Sequence, residues 1–117
     1  MWWTVAGILG ALGVALGAFG AHGLEGRVTD PHLMEVWHTA SRYHLLHALA
    51  LLGVAAHPRA PAVPGALFVA GIALFSGSLY TMTLTGARWL GAITPLGGLC
   101  LIAGWIALAA WPRTPRA

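Results

Sequence analysis

His38, Arg42, His44 and His47 all fall within WHTASRYHLLHALALL, residues 37–52, a stretch that begins as a polar helix surface and ends as hydrocarbon. Imidazole and guanidinium groups at this density allow three kinds of chemistry: ligation of a metal or haem iron, acid–base or nucleophilic catalysis, and hydrogen bonding inside a low-dielectric interior. Ligation needs a third donor. His44 and His47 stand at i and i+3, and His22 at the end of the preceding apolar run makes a three-histidine site imaginable. An H-x-x-H pair with no carboxylate or thiolate at ligand spacing is a weak metal signature. The stronger reading has these imidazoles holding or orienting helices, with His22 bonding hydroxyls of the third apolar segment, and it assigns no metal site and no cofactor.

Catalysis has less support. Ser41, Ser76 and Ser78 are the candidate nucleophiles, but no G-x-S-x-G elbow is present and no acid lies inside an apolar segment to orient a histidine. Glu25, Asp30 and Glu35 all lie in the first connection or at the start of the second segment, which excludes paired-carboxylate chemistry within the membrane. SGS at 76–78 has the small-residue character of packed membrane helices. Cys100 is a single thiol in an apolar run, a core residue rather than part of a disulfide or thiolate cluster. The chain therefore reads as non-enzymatic.

The elements that position these residues follow from composition. Of 117 residues, 58% are hydrophobic and 8% charged, more apolar surface than a soluble domain of this size can hide. The six arginines, Arg27, Arg42, Arg59, Arg88, Arg113 and Arg116, are scattered singly, so no basic stripe exists to track nucleic acid. Four apolar segments, 2–22, 31–56, 65–85 and 89–111, match the ~20 helical residues needed to cross a bilayer. Short connections make successive helices antiparallel neighbours. The expectation is an all-α, integral membrane four-helix bundle with short loops, forming one domain over 1–117.

Within that frame each segment has its own punctuation. Segment one carries Gly10, Gly13, Gly17 and Gly20 within ~80° of one face, a surface for close helix approach. It lacks a basic residue before its apolar run and is long for a signal sequence, so it reads as a span rather than a cleaved leader. Segment two opens with Asp30 as N-cap and Pro31 at the first helical position. On this helix Glu35, His38, Thr39 and Arg42 fall within ~100° as a charge strip, while Tyr43, His44 and His47 occupy a separate face turned toward the bundle. If Trp37 marks the interface, Arg42 lies inside the apolar boundary and snorkels back toward it. Segment three turns hydroxyl-rich toward its end, with Ser76, Ser78, Tyr80, Thr81, Thr83 and Thr85 meeting the polar half of segment two. In segment four, Thr94-Pro95 implies either a helix kinked from about Trp89 or a broken one restarting at Pro95, and the kinked form is slightly favoured. WPRTPRA then reads as an interfacial Trp anchor and a basic tail. Arg59, Arg113 and Arg116 share one side and Arg27 and Arg88 the other, which places both termini in the cytoplasm by a narrow margin.

The order and spacing of GAFGAHGL (17–24), the W-x-T-A-x-x-Y-H-L-x-H-A-L-A-L-L run from Trp37, FSGSLY (75–80), LTGARWLGAITPLGG (84–98) and AGW (103–105) resemble the YgdD-like family of small membrane proteins, the domain-of-unknown-function family numbered 423. The resemblance covers nearly the whole chain and implies a bacterial inner-membrane protein of about four helices, with no activity assigned. His22, Trp37, Thr39, Tyr43, His44, His47, Ser76, Ser78, Tyr80, Arg88, Thr94 and Pro95 fall on the family's motif positions; HPRAPAVP and PRTPRA depart from them.

Three functional readings remain. The first is a non-enzymatic bundle in the lipid bilayer that self-associates or binds a membrane partner protein, with a polar cluster of His22, His38, Arg42, Tyr43, His44, His47, Ser76, Ser78, Tyr80 and Arg88 near one interface. The second makes that cluster a site for a metal, haem, quinone or lipid headgroup, with Arg42 and Arg88 holding an anionic group beside Tyr43 and Tyr80. The third, a small transporter or channel subunit, rests on Pro95 and the glycines as break points, without an internal repeat to support it.

Overall fold

The computed structural model describes residues 1–114, so Arg116 of the basic tail lies outside the described residues. The fold is all-α. Helix α1 spans Trp2–His22 and α2 spans Pro31–Ala56; α3 spans Ala62–Thr85, and after a 3-10 turn over Arg88–Ala92, α4 runs from Thr94 to Ala110. The helix ends follow local chemistry. Asp30 accepts the His32 backbone N–H at 2.9 Å, with Pro31 pre-set for the first turn of α2. Gly86, at φ +73°, closes α3 in the left-handed conformation that other residues resist, its N–H on the Met82 carbonyl.

Two departures from regular α pitch shape the bundle. Inside α3, Ile72–Ser76 forms a π turn, closed by the Gly77 N–H on the Ile72 carbonyl. Segment four is broken rather than kinked: Pro95 sits in the first turn of α4, and the residues before it wind as a 3-10 turn. Pro95 has no N–H to offer Gly91 and its ring crowds that carbonyl, so the tighter turn ends there and a new helix begins. Thr94 does not cap the new helix; its hydroxyl turns back to the Leu90 carbonyl and across to Ser78.

Antiparallel registers are set by cross-helix bonds. Trp37 and His44 of α2 reach the carbonyls of Leu16 and Leu9 on α1, while Thr83 and Ser76 of α3 reach those of Leu33 and Ala40 on α2. The flattened envelope, 57 × 26 × 16 Å, places α2 between α1 and α3, with α3 also against α4. At the terminal end of the bundle, Ala50, Leu51, Val54, Phe68, Ile72 and Leu101 form an apolar core; at the loop end, Ala40, Leu79, Met82 and Leu90 form a smaller one.

Among the described residues, three helices are long and apolar enough to cross a membrane: Trp2–His22, Ala62–Thr85 and Arg88–Ala110, with mean hydropathies of 1.9, 1.8 and 1.9. Helix α2 is not in that set, although the sequence reads as four spans. Its packing accounts for the difference. Nine residues of α2 are buried, including Trp37, Ser41, His44 and His47, whereas α1 buries only Ala6, Gly13 and Gly20 and turns Ile8, Leu12 and Val14 outward. The outer helices supply most of the apolar surface and cover one side of the polar helix, whose other side, with Arg42, Leu46 and Leu49, stays open.

Candidate functional site

The polar side chains of α2 and α3 are brought together in the loop-end half and middle of the bundle. His44 donates from Nε2 to the Leu9 carbonyl at 2.8 Å, and its Nδ1 bonds the Tyr80 hydroxyl at 2.9 Å. A carbonyl only accepts, so the Leu9 contact places a proton on Nε2. One turn on, His47 carries its proton on the other nitrogen. Its Nδ1–H donates to the Tyr43 carbonyl at 2.7 Å, and its Nε2 accepts from the Trp105 indole N–H at 2.9 Å. Both nitrogens of both rings are thus engaged, and a metal ion would have to displace one of these bonds. No group of three His, Cys, Asp or Glu residues capable of holding a metal occurs among the described residues.

Hydroxyls and indoles complete the network. Ser76, fully buried, donates to the Ala40 carbonyl at 2.7 Å; Ser78 bonds Thr94 at 2.7 Å and the Phe75 carbonyl at 3.0 Å; Thr83 divides its hydrogen between Leu33 and Leu79. Trp37 donates to the Leu16 carbonyl at 2.9 Å while its ring lies against Tyr80 and Phe19. Glycines admit these bulky groups. A Cβ on Gly20 would run into the Trp37 ring, and one on Gly17 would stand 2.9 Å from the Ser41 hydroxyl. Gly13 lies under Leu45 and His44, but Gly10 meets nothing within 4 Å, so the close face of α1 comprises three of its four aligned glycines.

The remaining candidates lie elsewhere. His22 is exposed and bonds the Ala18 carbonyl of its own helix at 3.1 Å, away from the hydroxyls of α3. Arg88 pairs with Asp30 at 3.3 Å at the surface, whereas Arg42 lies on the open face of α2 far from it; the two do not converge on one anion. His38 is half-buried beside Arg42 on that face. Tyr43 is 40% exposed, stacked on His47 and tilted against Phe75.

Tyr43, Leu46, His47 and Gly53 of α2 also form one wall of a groove of about 810 Å³, whose other wall is Gly98, Leu101, Ile102 and Trp105 of α4, with Phe75 between them. Sequence reasoning gave no site role to Trp105 or Phe68. Trp105 had one usable signal: an indole N–H in the middle of an apolar helix requires a partner.

Chemically, the arrangement can hold helices in register and exclude water. Ser76 and Ser78 have their hydrogens committed to carbonyl or hydroxyl partners, and neither His44 nor His47 is bonded to any of the chain's three acids.

Comparison with known proteins agrees with a membrane protein. Residues 16–98 match the family model described as protein of unknown function (DUF423). The UPF0382 membrane protein YwdK of Bacillus subtilis is 51% identical over 109 residues, covering 85% of this chain and 88% of its own. A UPF0382 membrane protein of Schizosaccharomyces pombe is 44% identical over 110 residues, covering 88% and 93%, and one of Staphylococcus aureus is 47% identical over 109 residues, covering 86% and 88%. No solved structure matches.

Proposed function

The chain belongs to the DUF423 family of membrane proteins, and from that premise we propose that it is a non-enzymatic integral membrane bundle that works through contacts with protein in the same bilayer. The observation that carries this reading is the internal use of the polar cluster. His44, His47, Ser76, Ser78 and Thr83 are all buried, and each makes its hydrogen bonds to another part of the same chain. A catalytic or ligand site keeps at least one donor or acceptor free for its substrate; here the groups stitch α1 to α2, α2 to α3, α3 to α4 and α2 to α4. What such a bundle offers to the outside is its helix faces.

In this reading the protein sits in a bacterial inner (plasma) membrane with both termini cytoplasmic. Arg59 and Arg113 lie at the terminal end, and Arg88 at the opposite end is matched by Asp30. A second reading, a site for a quinone or lipid, is favoured by one feature, the apolar groove between α2 and α4 with His47 and Tyr43 on its wall. Native mass spectrometry of protein released from mild detergent separates the two. A bare mass at a defined oligomer is expected; a stoichiometric haem, metal, quinone or lipid that His44→Ala, His47→Ala protein no longer carries would replace the first reading by the second.

A further inference from the structure

We propose that the outward face of α2 is a seam on which two copies of this chain pair in parallel, Arg42 of each copy closing onto Glu35 of the other. The inference rests on the protein-contact reading above and names the partner. It begins with where Arg42 is. Ser76 bonds the Ala40 carbonyl and the helices are antiparallel, so Arg42 stands level with about Leu74, the middle of Ala62–Thr85. The His44–Leu9 and Trp37–Leu16 bonds place it level with about Ala11, the middle of α1. An arginine at mid-span on an exposed face is among the least tolerable groups a lipid-facing helix can carry. Among the described residues the one ion pair is Arg88 with Asp30, and Arg42 makes none.

The surface around Arg42 is organised. Glu35, Thr39, Arg42, Leu46, Leu49 and Gly53 form one stripe on the open side of α2, separated by alternating steps of four and three residues. That is the seam spacing of a parallel coiled coil. Five of its members, Glu35, Arg42, Leu46, Leu49 and Gly53, are exposed, and a Cβ on Gly53 would meet nothing within 4 Å. Two copies related by a two-fold axis along the membrane normal set these stripes against each other, residue facing its equivalent.

Glu35 and Arg42 are then about 10 Å apart along the seam. An α-helical side chain leans toward its own N-terminus, so each Arg42 extends along the partner helix toward the level of the partner's Glu35. Two arginines and two glutamates close into a four-charge ring, with His38 and Thr39 beside it. Below that ring, Leu46 and Leu49 of one copy enter the mouth of the groove formed by Leu46, Leu49 and Gly53 with Gly98 and Ile102 of the other. A lipid acyl chain fits the apolar half of this surface but brings no carboxylate to the Arg42 side of it, whereas a second copy supplies the apolar side chains and, two turns along the seam, Glu35.

The test is cysteine cross-linking in native membranes, on a Cys100→Ser background that removes the chain's single thiol. Under mild oxidation Leu46→Cys and Leu49→Cys should form covalent dimers, and Leu12→Cys on α1 and Ile106→Cys on α4, both outward-facing, should not. In the Leu49→Cys protein, Arg42→Glu should lower the dimer yield roughly three- to fifteen-fold, and adding Glu35→Arg should restore it. Cross-linking at Leu46 and Leu49 no greater than at Leu12 and Ile106 would overturn the seam, as would an Arg42→Glu yield equal to that of the parent. If the cross-links fail while no ligand copurifies and His47→Ala still melts at lower temperature, the self-pairing seam is rejected and the protein-contact reading survives with a different partner. If a copurified ligand appears, it is that reading which falls.

Discussion

The two ends of the bundle are built on different principles. At the terminal end, large side chains rest on glycine backbone: Phe68 over Gly104, Leu101 over Gly71 and Trp2 over Gly65, with Leu51 and Val54 filling the space between. At the loop end and middle, directional bonds from Trp37, His44, Ser76, Ser78 and Thr83 join neighbouring helices. Lipid tails are as apolar as leucine, so burial alone gives membrane helices little reason to choose one register over another. The apolar end therefore fixes how closely the helices approach, and the polar end fixes how far each slides along its neighbour.

The comparison is broken most severely where both principles meet. Gly97 of α4 lies against the backbone of Leu74 and Phe75 in the π turn, and an added Cβ would overlap the Phe75 nitrogen. Gly97→Leu should prevent assembly of α3 with α4 and leave no cooperative melt in detergent; a normal melt would refute the close approach. Next, Phe68→Ala empties a fully buried site and should cost about 3 kcal/mol of stability, with the helix register unchanged by cross-linking across α2 and α3. His44→Ala leaves the Leu9 carbonyl and Tyr80 hydroxyl without their partner and should cost about 1–3 kcal/mol. Unlike Phe68→Ala, it should also loosen the α1–α2 register, read as cross-linking at more than one pairing of positions. An unchanged melting temperature would count against the stitching role.

Smaller effects sharpen the same distinction. Ser76→Ala removes one bond to the Ala40 carbonyl and should lower stability by about 0.6–1.7 kcal/mol, the range of interhelical hydrogen bonds in membranes. The smallest contrast lies within one helix. Gly13→Ala pushes into Leu45 and His44 and should destabilise, while Gly10→Ala meets open space and should be neutral or slightly favourable. Equal melting of the two variants would mean that α1 is not seated through Gly13.

Much of the frame was legible. Asp30-Pro31 marks the start of α2, and the hydroxyl-rich half of α3 does lie beside the histidine-bearing part of α2. The partners were not legible. Trp37 and His44 bond the carbonyls of Leu16 and Leu9 respectively, and every residue has a carbonyl, so nothing in those leucines signals the contact. His22 shows the same problem reversed: its nearest acceptor is Ala18, one turn back in its own helix, which spacing alone does not separate from a tertiary partner. At Pro95 the sequence leans toward a kink because local propensity permits both forms; the structure has the broken form, with the 3-10 turn over Arg88–Ala92 and the Ser78–Thr94 bond accompanying it. The four aligned glycines of α1 differ only in whether α2 happens to reach them.

The π turn in α3 works like a vernier. Its wider loop lets Ser78, Tyr80 and Thr83 face neighbours different from those a straight helix from Ala62 would choose. Straightening that turn to α pitch without losing a residue would rotate everything beyond it by about 100°, carrying those hydroxyls off their partners, whereas losing one residue between Ile72 and Ser76 would tighten the turn and leave their phase nearly unchanged. The wide turn, rather than the length of the helix, is the phase setting, so within α3 a one-residue deletion should be tolerated between Ile72 and Ser76 and disruptive elsewhere.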